Sequence, residues 1–477
     1  MRHHLAALFL SLEAGGCSLL YNPNNLPPPV VDAEGDGGVT DADLTLLQVD
    51  DVGPHVLFEG QGIGGSRPAI LTLVGHQFIE GVQVELVAPG GEPVRFVVDN
   101  LNAVVAPSGE VLVVPVVLPV DPGRGAAVVP MTIRVTQGAV TKILEGKLEI
   151  RNLNELGDSA VTDSAALDAL YSRIDHPSLI TFAVTPDKPP AVFRAVSSIV
   201  LGDLTANATA AAAGPGGSVG GAVGAAGGGA GGGQPGSVSG GAGGAGFATV
   251  GQVGAGVGGA GGVEIGERLI QGYPTNHGSG GGGGSGSVGG GGGGTIEITA
   301  GGTVRVGKIE VNGASAAAGG VSGGGGGAGG VVVIRAGSIA ELAGVITANP
   351  GAGSLGTGLA GGAGRSGRIR IDVPLVIGRP QITPPAHLGV SLDPTLVRST
   401  EDLVQRVVSH GTLNDEFNVF VLDAAGVVTS QTTASFGATT INLSPTLSAG
   451  YNRICVTANT DVSLDEATNC IDIAYLP

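Results

Sequence analysis

Two segments decide how this chain folds: TIEITAGGTVRVGKIEVNG (Thr295–Gly313) and VVVIRAGSIAELAGVITANPG (Val331–Gly351). In each, apolar residues alternate with others, the period-two signature of a strand with one buried face. Ile296 and Ile298 correspond to Val332 and Ile334, 36 residues later. After a one-residue slip, Ile309 and Asn312 correspond to Ile346 and Asn349, at a spacing of 37. RIRIDV continues the series, with Ile369 and Ile371 lying 37 residues beyond Val332 and Ile334. Upstream, Leu204-Thr205-Ala206-Asn207 parallels Ile346-Thr347-Ala348-Asn349. A unit of two or three short strands that recurs at near-constant length marks a solenoid, in which a layer too thin to bury its own Ile and Val is covered by the next. Stacked strands about 4.8 Å apart also pair every backbone N–H. The alternation places Glu297, Arg305, Lys308 and Glu310 on the solvated exterior. Asn207, Asn312 and Asn349 fall at one corner, where tolerance of left-handed backbone angles suits a repeated turn.

Between these strands the chain is nearly pure glycine. Of 477 residues 90 are glycine, only 13% are charged and 3% aromatic, and tryptophan is absent. Any core is therefore built from Val, Ile, Leu and Ala. No charged residue occurs from Leu204 to Val263, which excludes a disordered polyelectrolyte there. The tracts Ser287–Gly294 and Gly319–Gly330 admit two readings. One is slack loops with random-coil behaviour. The other is side-chain-free backbone packed as three-residue-per-turn extended helices related to polyproline II. GAVGAAGGG, with Gly221, Gly224 and Gly227, carries a brief three-residue period. Near-constant strand spacing favours order, since a slack linker has no reason to keep its length. The insertion Gly214–Gly294 keeps no such register.

The net charge of −18 lies in the flanks. It argues against a nucleic-acid partner, because phosphate binding needs a basic patch. The chain opens MRHHLAALFLSLEAGGCSLL, with Arg2, a short apolar run and the small residues Ala14-Gly15-Gly16 before Cys17. This resembles the bacterial lipoprotein signal, although Ala14 stands where that family usually has leucine. The resemblance implies that residues 1–17 are a signal peptide, that Cys17 is the lipid attachment site, and that the membrane is a partner through this lipid. No apolar run of 18 or more residues offers a spanning helix. Cys455 and Cys470 sit in ICVTA and NCIDI, two strands around a loop, where they can face each other as a disulfide of an oxidising compartment. Two buried free thiols are the alternative.

Residues 18–51 read as a Pro-rich, then acidic tether. Within it Asp32, Glu34, Asp36, Gly37, Val39 and Asp43 occupy positions 1, 3, 5, 6, 8 and 12 of an EF-hand-type loop. Leu44 follows, as in the dockerin-type loops the stretch resembles, which makes Ca²⁺ the one candidate cofactor. Pro27 to Pro29 forbid an entering helix, so a solvated acidic spacer competes with this reading.

Residues 52–150 contain AILTLVG, VQVELVA, VRFVVD, VLVVPVVL, VVPMTIRV and KILEGKLEI, about six strands at sandwich spacing. The Gly75-x-x-Phe78-x-x-Gly81 turn, with the preceding Gly64-Gly65-Ser66, resembles IPT/TIG domains, which implies an immunoglobulin-like sandwich. His76 in that turn reads as a loop residue. Residues 151–190 read as a transition, with a short helix in TDSAALDALYSRI capped by Thr162 or Asp163. The repeats span 191–377. Residues 378–477 hold a hairpin around Ala424-Ala425-Gly426 and the strands ATTINL, YNRICVTAN and NCIDIAYL. Leu447 to Val456 resembles the late-strand segment of bacterial Ig-like domains. The expected fold is all-β, with Ig-like β-sandwiches flanking a Gly-rich β-solenoid-like region.

Two short motifs match by composition alone. Gly254-x-Gly256-x-x-Gly259 lacks the strand, helix and distal acid of a dinucleotide site, and Gly216-x-Ser218-x-Gly220 lacks a strand–turn–helix. The histidines show no zinc spacing. The layout of lipidated cysteine, Ig-like module and Gly-rich coils resembles glycine-rich repeat lipoproteins on the surfaces of Gram-negative bacteria. It implies a lipid-anchored protein of the outer membrane or cell surface, structural or adhesive and without a catalytic site. Its partners would be an extracellular polysaccharide or another cell-surface protein. The alternatives are a carbohydrate-active β-helix enzyme, such as a polysaccharide lyase or hydrolase, and a calcium-dependent binding module. The enzyme would need a convergent group among Glu264, Glu267, Glu297, Glu310 and Glu341.

Overall fold

The 36- and 37-residue spacings are met by strand pairing in the computed structural model. It describes residues 47–476 except 63–65, 67–68, 90–96, 121–126, 159–160, 168, 185–187, 266–276, 393–397, 400–404, 410–415, 436, 438–439, 444 and 459–469. The described chain is all-β, its only helical pieces being single 3₁₀ turns. Thr295–Ala300 runs parallel to Val331–Ala336, with Ile296 beside Val332 and Ile298 beside Ile334. Arg368–Asp372 follows, with Ile369 beside Val332 and Ile371 beside Ile334. Thr303–Val306 and Ile309–Glu310 pair in the same way with Ile339–Leu342 and Val345–Thr347. Each full coil therefore gives one strand to each of three parallel sheets. Inward residues of all three, among them Phe193, Ile298, Ile334, Val304, Ile309 and Ile346, form one core from which water is excluded. Burying an isoleucine of this kind contributes roughly 1.5–3 kcal/mol, and the covering surface comes from the coils above and below.

The stack is longer than 191–377. Leu170–Tyr171, Ile174–His176 and Ile180–Thr181 form an earlier coil, each piece paired parallel with the next one. His387–Leu388 adds a strand at the other end. The segment 151–190 is therefore largely part of the stack, and its expected helix shrinks to one 3₁₀ turn, Ser164–Leu167. Asp163 does mark the start of that turn, its Oδ1 accepting from Ala165 N–H. The rest becomes strand because Tyr171, Ile174 and Ile180 close the otherwise bare end of the core. The asparagine corner is a ladder, with Asn312 N–H donating to Asn207 Oδ1 at 2.7 Å and Asn349 N–H to Asn312 Oδ1 at 2.8 Å. Its cause differs from the expected one. None of the three asparagines has a positive φ; the side-chain oxygens of Asn207 and Asn312 instead accept from the coil that follows.

The glycine tracts are packed, and the insertion Gly214–Gly294 is packed with them outside its undescribed part. Neighbouring segments are hydrogen-bonded at every third residue, as three-residue-per-turn helices require. Ser218, Gly221 and Gly224 N–H donate to Gly278, Gly281 and Gly284 C=O. Gly323, Gly326 and Gly329 donate to Leu359, Gly362 and Arg365. The links cross the whole chain, from Gly281 N–H to Gly290 C=O, from Gly290 N–H to Gly325 C=O and from Gly282 N–H to Gly243 C=O. Backbones come so close that a Cβ at Gly290 would overlap the Ala314 carbonyl oxygen.

Each flank has two sheets sharing one core. In the first, Gln48–Gly53, Ala69–His76 and Val111–Val117 face Val56–Phe58, Gln83–Val87, Ala127–Gln137 and Val140–Asn152. Phe78 plugs this core, and the turn around it uses Gln77 at φ 66° and Gly81 at φ 86°. In the last, Val390–Leu392, Gln405–Ser409 and Thr440–Leu443 face Glu416–Leu422, Val428–Ser435, Gly450–Ala458 and Cys470–Tyr475. The two flanks touch, for Ile70, Val111 and Val113 of the first pack on Ala474 and Leu476 of the last. His55 N–H also donates to Ala424 C=O at 2.9 Å.

Candidate functional site

Chemistry-bearing side chains converge on the outer face of the first parallel sheet, formed by Ala191–Ala195, Thr295–Ala300, Val331–Ala336 and Arg368–Asp372. Strand alternation points Glu297, Arg335, Arg370 and Asp372 to this face. The expectation that Glu297 is a solvated exterior residue fails, since it is 3% exposed, Arg370 1% and Asp372 1%. Part of the covering is apolar: Phe247 and Ile265, from the insertion, pack over Val331 and Val333. Phe247 also lies under the Arg368 guanidinium, 5.9 Å from its ring centroid.

Buried charges persist where they are paired, and these are. Arg335 Nη1 donates to Glu297 Oε1 at 2.6 Å, and its Nε lies 3.6 Å from Asp372 Oδ2. Arg370 Nε donates to Asp372 Oδ1 at 2.9 Å, and its Nη2 meets the other carboxylate oxygen. Thr299 Oγ1 also donates to Glu297 Oε1, while Glu297 Oε2 has no hydrogen-bond partner among the described residues. Arg335 stands directly beside Asp372 in the ladder. Each carboxylate thus faces a guanidinium, whereas glycoside hydrolysis needs one protonated carboxyl and a second one free to attack or activate water.

Of the other acids considered from sequence, Glu310 and Glu341 stand apart from this face, and Glu264 reaches only its exposed edge at Arg368. Glu310 lies 3.2 Å from Lys308, and Glu341 lies 3.6 Å from Arg305 of the neighbouring coil, both on other sheets. Glu264 is largely exposed, 3.8 Å from Arg368. Glu267 lies outside the described residues, as do Cys17 and the acidic loop with Asp32, Glu34, Asp36 and Asp43. Among the described residues no group of three or more His, Cys, Asp or Glu is placed to hold a metal ion, and no helix is long and apolar enough to cross a membrane.

Cys455 and Cys470 are joined by a disulfide and stand opposite each other in adjacent antiparallel strands. Nearby, Tyr451 OH donates to Asp472 Oδ1 at 2.6 Å, and burial pushes this phenol well above its ordinary range. His76 ends a strand of the first flank, exposed near Asp50 and Glu110. A concavity of about 510 Å³ at the edge of the same flank is lined by Glu80, Gln83 and Asn100. Asn100 is already committed, accepting from Val84 N–H and donating to Val84 C=O. Gly254-x-Gly256-x-x-Gly259 is a turn of the glycine bundle, closed from Gly254 N–H to Gly259 C=O, and Gly216–Gly220 lies in the bundle too.

Sequence reasoning missed the ion-paired face, although half of its signal was present: the 37-residue spacing alone sets Arg335 beside Asp372. No family model, curated protein or solved structure matches this chain.

Proposed function

We propose that this chain is a non-catalytic cell-surface lipoprotein of a Gram-negative bacterium, held at the outer membrane by a lipid on Cys17. It would act as a structural or adhesive element, with flanking sandwiches of IPT/TIG-like and bacterial Ig-like type carrying the contacts. The observation that carries this reading is the state of the acids on the stack. Glu297 and Asp372 are buried against arginines, and Glu310 and Glu341 lie beside cations. The Glu297–Arg335–Asp372 and Arg305–Glu341 contacts join neighbouring coils, which supports a structural role for their carboxylates. An extracellular polysaccharide or another surface protein fits as partner, because spacer-and-module proteins bind through exposed sandwich edges and loops.

The test is metabolic labelling of cells with an alkyne fatty acid, combined with fractionation. The wild-type chain should carry the label and sediment with outer membranes. Cys17→Ser should lose the label and appear in the soluble fraction. An unlabelled wild-type chain would overturn the anchor, and release of unsaturated or shortened oligosaccharides from polysaccharide by purified protein would overturn the non-catalytic reading.

A further inference from the structure

Five exposed aliphatic side chains stand in turns, where small polar residues are the norm. Val223 sits in the turn closed from Ala225 N–H to Ala222 C=O, Val238 in that between Ser237 and Gly240, and Val257 in that between Gly254 and Gly259. Val321 follows the turn glycine Gly320, and Leu355 opens a turn bridged to Ala360. Val257 is 81% exposed, Leu355 76% and Val238 72%. The turns are hydrogen-bonded to one another in a closed ring. Gly224 N–H reaches Gly284 C=O, Val321 reaches Ser285, Thr357 reaches Gly320, Ala255 reaches Ala360, Val257 reaches Ser239, and Gly236 reaches Gly283. They therefore share one end of the glycine bundle. From it, residues 287–294 and 323–330 run back to the strands that begin at Thr295 and Val331. Eight residues at about 3.1 Å each put this end roughly 25 Å from the first sheet.

We infer that this crown is a homotypic docking surface, on which a second copy of the chain seats its own crown about a twofold axis. A twofold contact sets a surface against itself, so any charge in it meets its like. The segments that build the crown, 204–263, 278–294, 311–330 and 348–364, contain no Asp, Glu, Lys, Arg or His. The net charge of −18 lies in other parts of the chain, which repel a second copy everywhere but here. Between the aliphatic tips stand Ser237, Ser239, Ser285 and Thr357, whose hydroxyls both donate and accept and so can pair with their own kind. A bilayer is a poorer occupant, because interfacial segments rely on Trp, Tyr and basic anchors, and the crown has none. The contact does not depend on a lipid at Cys17.

Sedimentation velocity over a concentration series tests this, using the full chain with Cys17→Ser so that no lipid drives association. The expected result is a monomer–dimer equilibrium that shifts toward dimer as salt screens the flanks. Val238→Asp with Val257→Asp, both at exposed tips, should abolish the dimer, and the corresponding Val→Ser pair should weaken it without adding charge. Val128→Asp, at an exposed valine of the first flank, should leave it unchanged. A monomer throughout the series, or a dimer indifferent to the Asp pair, would overturn the inference. So would flotation with phosphatidylcholine vesicles that the Asp pair abolishes, which would reassign the crown to a lipid surface.

Discussion

The aliphatic stack and the glycine bundle belong to the same coils and satisfy their backbones in opposite ways. In the stack, strands pair side by side and inward Ile and Val supply the burial that holds three thin sheets together. In the bundle there is almost no side chain to bury. Cohesion comes from backbone N–H to C=O bonds at every third residue and from the close approach that glycine alone permits. Side-chain volume therefore has opposite signs in the two regions: removing it should break the stack, and adding it should break the bundle.

The largest effect is expected from Ile298→Ala, deep in the stack. A truncated isoleucine leaves a cavity the neighbouring coils cannot fill, at a cost of about 4 kcal/mol, read as a lowered denaturant midpoint. If the loss were under about 1 kcal/mol, as at an exposed site, the core assignment would fail. Next comes Gly290→Ala, a single added methyl, with an expected loss of about 3 kcal/mol from overpacking against backbone that has nowhere to go. Its control is Gly358→Ala, where a Cβ meets nothing within 4 Å. That change should be neutral or stabilising by about 0.5 kcal/mol, and equal losses at the two glycines would show that the bundle is not packed. The smallest effect belongs to the asparagine corner, where stack and bundle meet. Asn312→Ala removes the acceptor of Asn349 N–H, for about 1 kcal/mol, and hydrogen exchange at Asn349 should quicken while that at Val333 stays slow.

The stack was largely legible. Ile296 and Ile298 lie against Val332 and Ile334 because a fixed repeat length and a period-two pattern together set the register of parallel strands. The first coil escaped notice for a physical reason: return paths differ in length. Ile174 pairs with Ile199 across 25 residues, and Ile199 with Val304 across 105, since that second return holds the whole insertion. Spacing analysis sees only coils whose returns match. The ion-paired face was half legible. Period two points Glu297 away from the core, and pattern alone then makes it solvated; that Phe247 and Ile265 of the insertion would lie over part of that face is information held nowhere near residue 297.

By itself, then, the sequence determined that the fold class is all-β, where its aliphatic layers repeat, and that Cys455 can face Cys470. Each of these follows from residue types at short or regular spacing, which fix what a strand buries and what stands opposite it. Tertiary structure alone decided that the glycine tracts form an ordered bundle, that its turns close into one ring, and that Glu297, Arg370 and Asp372 are buried on the first sheet. Backbone hydrogen bonds carry no residue identity, and glycine marks no face, so partners such as Gly282 and Gly243 can be matched only once the whole chain is in place.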